Sequence, residues 1–138
     1  MYTKINEKDS AMKLGAIYSK EKTTFTLFSP VADSVFVIFY DKGNDSAEKG
    51  RLEMMRGEGE LRSIFSATAE GNLDGVYYTY EVHTSDGTFG SHDPYARACG
   101  VNGHRSMVID LSKTDPDGFA DEDRPKLADP MSMVITEV

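Results

Sequence analysis

The run Thr23-Thr24-Phe25-Thr26-Leu27-Phe28 alternates, placing Phe25 and Leu27 on one face with the two-residue period of a half-buried strand. Pro30 ends it. Ser34-Val35-Phe36-Val37-Ile38-Phe39-Tyr40 is apolar on both faces, as expected of a central strand covered on each side. The next residues, Asp41-Lys42-Gly43-Asn44-Asp45, read as a turn. Arg51–Met55 fits either a short strand or one helical turn, and Glu60–Thr68 is again extended. Gly71-Asn72-Leu73-Asp74-Gly75 punctuates the chain before its clearest strand, Val76-Tyr77-Tyr78-Thr79-Tyr80-Glu81-Val82-His83. There Tyr78, Tyr80 and Val82 share one face, and Tyr77, Thr79, Glu81 and His83 the other. Ser85-Asp86-Gly87 is a tight-turn signal and predicts a hairpin with Thr88-Phe89-Gly90. Met107–Leu111 is strand-like once more, after the turn chemistry of Asn102-Gly103.

Short strands at intervals of about ten residues, with little helical periodicity, predict an all-β fold, an Ig-like antiparallel β-sandwich. The expected organisation is a polar lead-in over residues 1–12, a sandwich over 13–112 and a connector over 113–129. The connector is polar and contains Pro116 and Pro125. Residues 130–138 then carry Met133-Val134-Ile135-Thr136-Glu137-Val138, which reads as the start of another strand. At 138 residues the chain fits one domain.

Charge and chemistry narrow the function. A net charge of -8 repels phosphate backbones and argues against nucleic-acid binding. No apolar run reaches the ~20 residues of a membrane span, and the first residues lack a signal-peptide core, so a cytoplasmic protein is expected. Cys99 is the single cysteine, which rules out an intramolecular disulfide, and its small neighbours suggest a buried, inert thiol. His83, His92 and His104 match no recurring metal-ligand spacing. Asp115, Asp117 and Asp121-Glu122-Asp123 lack the central Gly of an EF-hand loop and enclose Pro116. No metal and no cofactor are expected. The carboxylates cluster in turns and the connector, where charge serves solvation, so no catalytic residue is assigned.

Asp93-Pro94-Tyr95-Ala96-Arg97-Ala98-Cys99-Gly100-Val101-Asn102-Gly103 closely resembles the Asp-Pro-Tyr-Ala-x-Ala-x-Gly-Val-Asn-Gly segment of type I pullulanases, which debranch α-1,6-linked glucans. Leu14-Gly15-Ala16, then Thr23–Ala32, resemble the opening of the starch-binding family 48 sandwich of pullulanases and branching enzymes. Gly75-Val76-Tyr77-Tyr78 resembles the Gly-x-Tyr-Tyr strand that precedes Asp-Pro-Tyr-Ala. The likeness runs from about Leu14 to Val138, but the family's usual Trp is replaced by Phe28 and Phe65, and the chain has no Trp.

The resemblance implies a non-catalytic accessory module packing on a catalytic (β/α)8 barrel, with residues 130–138 entering that barrel. Asp93, Pro94, Tyr95, Arg97, Asn102 and Gly103 would supply the docking interface. The nucleophile and acid/base of the family would lie in the barrel. Binding members of the family place a Trp after an Asp-Gly turn; here Asp86-Gly87-Thr88-Phe89 offers Phe89, with Asn102 as polar partner and Tyr40 and Tyr77 as further platforms for a weakly held α-glucan. Two other readings stand beside it: an autonomous starch- or glycogen-binding module, and an unrelated Ig-like interaction domain.

Overall fold

Among the described residues nine antiparallel strands follow one another: β1 (Gly15–Tyr18), β2 (Lys22–Phe28), β3 (Ser34–Tyr40), β4 (Glu48–Arg56), β5 (Ile64–Glu70), β6 (Tyr77–Thr84), β7 (Gly87–Ser91), β8 (Ala98–Cys99) and β9 (Ser106–Met107). This is the computed structural model, which describes residues 13–123 and, beyond them, 126, 128, 129, 131, 133, 134, 136 and 137. The lead-in expected over residues 1–12 lies outside the described residues.

The strands run β1-β2-β5-β4-β3-β6-β9-β8, with β7 also on β6, and this sheet curls into a sandwich. The curl occurs at β4, which pairs with β3 up to Met54 and with β5 through Met55 and Arg56. The core between the layers is Phe25 and Leu27, Val35, Val37 and Phe39, Met54, Phe65, Tyr78, Tyr80 and Val108. The alternation of β2 and β6 thus puts their expected faces inside. Phe25 meets Phe39 and Tyr78 edge-on, with ring centroids at 5.6 and 4.9 Å, the arrangement that aromatic quadrupoles favour.

Several local expectations change. Arg51–Met55 lies within a nine-residue strand, because β3 offers it a ladder that no local propensity reveals. Residues 60–68 are only partly extended: Gly59–Leu61 forms a 3-10 turn before β5. The outer face of β3 is closed by neighbouring side chains rather than a packed layer; Ile38 lies beside its cross-strand partner Arg51, whose guanidinium also sits 5.8 Å from the Phe36 ring. Of Met107–Leu111, only Met107 belongs to a strand, and Leu111–Lys113 winds into a 3-10 turn. Cys99 is exposed, since β8 is a two-residue edge strand that nothing covers. Met133, Val134, Thr136 and Glu137 form no strand, while Ile135 and Val138 lie outside the described residues.

Candidate functional site

The edge of β6 away from β3 changes partner along its length. Tyr77 and Tyr78 pair with β9, whereas Tyr80 to Thr84 pair with β7. Asp93 fills the gap between these two partners and is 5% exposed. Its Oδ2 accepts hydrogen bonds from the Tyr78 hydroxyl at 2.7 Å and the Tyr80 hydroxyl at 3.2 Å. Oδ1 accepts from the Tyr95 N–H at 2.8 Å, and the Asp93 N–H donates to Ser106 Oγ at 2.9 Å. Burial, then the hydrogen bond to Asp93, pushes the Tyr78 phenol far above its ordinary range. Tyr80 is raised in the same direction, by burial first and the charge of Asp93 second. Asp93 is thus a buried latch inside this domain.

The latch presents the rest of the segment outward. Pro94, Tyr95, Arg97 and Asn102 are exposed, and Gly103 is half-buried. Tyr95 leans on Gly15, which adopts φ +90°; a Cβ there would sit 3.0 Å from both the Tyr95 Cβ and its carbonyl oxygen. The Leu-Gly of β1 and the Asp-Pro-Tyr segment therefore meet in space. At the other end of the segment Gly100 packs on Gly43, so tightly that a Cβ on Gly100 would fall 2.7 Å from the Gly43 Cα. Asn102 occupies left-handed backbone at φ 52°.

The four residues considered for glucan contact do not share one surface. Cross-strand partners share a face, and Phe89 pairs with Val82, so it lies on the core-side face of the sheet, 53% exposed at its margin. Tyr40 pairs with Tyr77 on the opposite face, five residues along β6 from Val82, or roughly 17 Å. The Tyr77 ring lies against Gly43 and Gly100. Arg105 stacks on Tyr40 with its guanidinium carbon 3.6 Å from the ring centroid, and donates to Lys42 O, Ser46 Oγ and Ser46 O at 2.7, 2.7 and 2.9 Å. Asn102 follows Gly100 and so belongs to the Tyr77 end, away from Phe89.

The structure adds residues that the sequence reading passed over. Arg105 clamps the 41–46 turn, and Ser106 completes the latch. On the outer face Arg51 grips Glu48 through two hydrogen bonds of 2.7 and 2.6 Å and reaches Glu81 at 3.1 Å. His83 lies 2.9 Å from the same Glu81 oxygen. The His83 bond, followed by Arg51, holds the Glu81 carboxyl below its usual range. Lys113 donates to Asp74 at 2.7 Å, while the Asp110 N–H donates to the other oxygen of Asp74 at 2.8 Å. Lys113 and then the Asp110 N–H lower the Asp74 carboxyl, and the Ser112 hydroxyl lowers that of Asp110. Arg51 and Glu81 lie on strands separated by β3, so no cross-strand pairing in the sequence marked their contact. Nothing local marks Asp74, 39 residues from Lys113. Among the described residues no group of three or more His, Cys, Asp or Glu is placed to hold a metal ion.

Comparison with known proteins follows this geometry. The family model for carbohydrate-binding module 48 (isoamylase N-terminal domain) matches residues 13–96. Pullulanase A of Streptococcus pneumoniae serotype 4 is 31% identical over 116 residues, which cover 79% of this chain and 9% of that protein. A pullulanase of Bacillus subtilis is 30% identical over 98 residues, 70% of this chain and 13% of its own length. The chain thus spans only about a tenth of the curated relatives it matches. Among solved structures, a Paenibacillus barengoltzii pullulanase in complex with maltohexaose and α-cyclodextrin aligns with a TM-score of 0.78 at 34% identity, over 86% of this chain and 18% of that one. The pullulanase from Bacillus acidopullulyticus aligns at 0.76 and 34% identity, over 86% of this chain and 14% of that one.

Proposed function

This chain belongs to the carbohydrate-binding module 48 family, and from that premise we propose that it is the non-catalytic accessory module of a type I pullulanase-like debranching enzyme, packing on the enzyme's catalytic (β/α)8 barrel. The observation that carries this reading is the division of labour in the Asp93 segment. Asp93 is turned inward to brace the loop, and Tyr95, 52% exposed, is turned outward on that braced loop together with Arg97. A large aromatic ring beside an arginine on rigid backbone is the composition of an interface anchor. The carboxylates that the fold orders act structurally, Asp93 in the latch, Glu48 and Glu81 on Arg51, Asp74 and Asp110 around Lys113.

The coding sequence beyond Val138 tests the proposal directly. Continuation into a (β/α)8 barrel supports the proposal, and a stop codon overturns it. In the continued protein, Tyr95→Ala should lower the unfolding temperature by more than it does in the 138-residue chain alone. Equal shifts in the two would remove Tyr95 from the interface.

A second reading rests on the exposed Phe89 at the hairpin margin, together with the maltooligosaccharide complexes of related pullulanases. In it the module tethers α-glucan weakly through that ring. Retention on an amylopectin gel that is lost in Phe89→Ala supports it; no retention of the parent chain sinks it.

A further inference from the structure

A slot runs between the two ends of the curled sheet. One wall is β1, which among the described residues pairs with β2 on one edge and with no strand on the other. The opposite wall is the stretch after β9. A groove of about 280 Å³ is lined by residues 107–112 and by Ala16, Ile17 and Tyr18, with Lys13 and Arg97 as its cations. Val108 is tied on both sides of its peptide, its N–H donating to Val76 O and its C=O accepting from Gly75 N–H, each at 2.9 Å. In an extended chain the next residue turns its backbone groups the other way. That residue is Ile109, which makes no hydrogen bond among the described residues. The slot is therefore bordered by two stretches of extended backbone, and the groups of Ala16, Tyr18 and Ile109 that face it have no partner among the described residues; such groups normally find one.

Two more observations say what belongs there. Arg97 is exposed and makes no ion pair among the described residues, in a chain whose net charge is -8. Such an exposed cation is suited to a carboxylate presented by another surface. The chain also leaves the sheet at the slot. Asp110, whose N–H is held by Asp74, and Lys113, whose Nζ holds the same carboxylate, fasten the exit point. Asp110 caps the 3-10 turn, accepting from the Ser112 hydroxyl at 2.6 Å, and Leu111 stays 43% exposed beside the groove. Any polypeptide joined through the connector starts from this rim.

We propose that the slot is the seat of the barrel that follows the connector. A loop or edge of that barrel sets backbone groups against β1 and Ile109 and a carboxylate against Arg97. This rests on the reading of the chain as an accessory module and adds where the partner sits and what it presents. The Asp74–Lys113–Asp110 clasp then fixes the point from which the connector leaves the slot.

Hydrogen exchange, read residue by residue, tests it on the 138-residue chain and on the same chain continued into its downstream domain. The expected result is at least about tenfold slower exchange at Ala16 and Tyr18, whose backbone groups face away from the β1–β2 ladder, and at Ile109, in the continued protein only. Arg97→Glu should abolish that protection. Measured in trans with the separate barrel, it should weaken association by about thirtyfold or more, the cost of breaking one buried interfacial charge pair. Because Arg97 makes no ion pair among the described residues, the variant should unfold at the same temperature as the parent when isolated. Protection confined to another face, such as Phe36 and Thr79, would overturn the slot while leaving the accessory reading intact. A downstream domain that protects no residue would overturn both. Protection in the isolated chain that grows with concentration would mean that a second copy fills the slot, and would also overturn the proposal.

Discussion

Strand β6 carries two polar constellations on its two faces, and they are built differently. On the inner face one carboxylate, Asp93, serves two phenols and a backbone N–H in a space closed to water. On the outer face Glu48, Arg51, Glu81 and His83 form a ladder of ion pairs across β4 and β6, with Arg51 and Glu81 at 41% and 24% side-chain exposure. The outer set has more charges and more short contacts. Even so, the inner one holds the fold. Buried, a hydrogen bond has no competing water, and losing a partner strands the groups left behind. Exposed pairs exchange one set of solvated contacts for another and lose side-chain entropy in doing so.

Breaking the inner constellation should have the largest effect. Asp93→Ala leaves the Tyr78 and Tyr80 hydroxyls without an acceptor, and we expect a loss of about 3 kcal/mol or more, seen as a fall in Tm of roughly 10 °C or more by calorimetry. A loss as small as that of an outer-face variant would refute the comparison. Alkali should find the same weak point. Both phenols are held above their ordinary value in the folded state, whereas tyrosines of the unfolded chain ionise near pH 10. The contribution is thus intact below about pH 10, and stability falls as pH rises above it. Denaturant midpoints measured between about pH 9 and 12 would show the slope. Tyr80→Phe should flatten part of that slope and itself cost about 1 kcal/mol, because it deletes one of the two phenols on Asp93. Smallest of all, Arg51→Ala should move Tm by no more than about 2 °C, and 1 M NaCl should erase the difference. The residual effect should also fade toward acid pH, since the Glu48 and Glu81 carboxyls are lowered in the folded state and their contribution is lost as pH falls.

Much of this was legible before any coordinates. The alternation of Tyr78, Tyr80 and Val82 against Tyr77, Thr79 and Glu81 reads directly as an inside and an outside, because aromatic and β-branched residues leave few other ways to bury them. The burial of Asp93 was not legible. Asp-Pro signals a loop, and the carboxylate is drawn inward by phenols 15 and 13 residues upstream. The separation of Phe89 from Tyr40 and Tyr77 could have been reached from turn length alone. A two-residue turn at Ser85-Asp86 puts Thr84 opposite Gly87 and hence Val82 opposite Phe89. Small neighbours suggested a buried Cys99, but exposure there depends on β8 ending the sheet, which is topology rather than composition. The open backbone of Ile109 is likewise invisible locally, since it depends on Val108 being the residue that Val76 and Gly75 capture.

The contact between Gly15 and Tyr95 joins positions 80 residues apart. Hairpins such as β6–β7 close over two residues and form within microseconds. Joining the first strand to the segment after β7 means closing a far longer loop, whose entropic cost is met only when the intervening strands are in place. The slot between β1 and residues 107–112 is accordingly assembled late in folding and is among the first parts to open. A partner lodged there acts as a clip across the slowest-forming seam of the domain. Such a clip leaves the folding rate almost untouched and lengthens the lifetime of the folded state, because it stabilises contacts absent from the transition state.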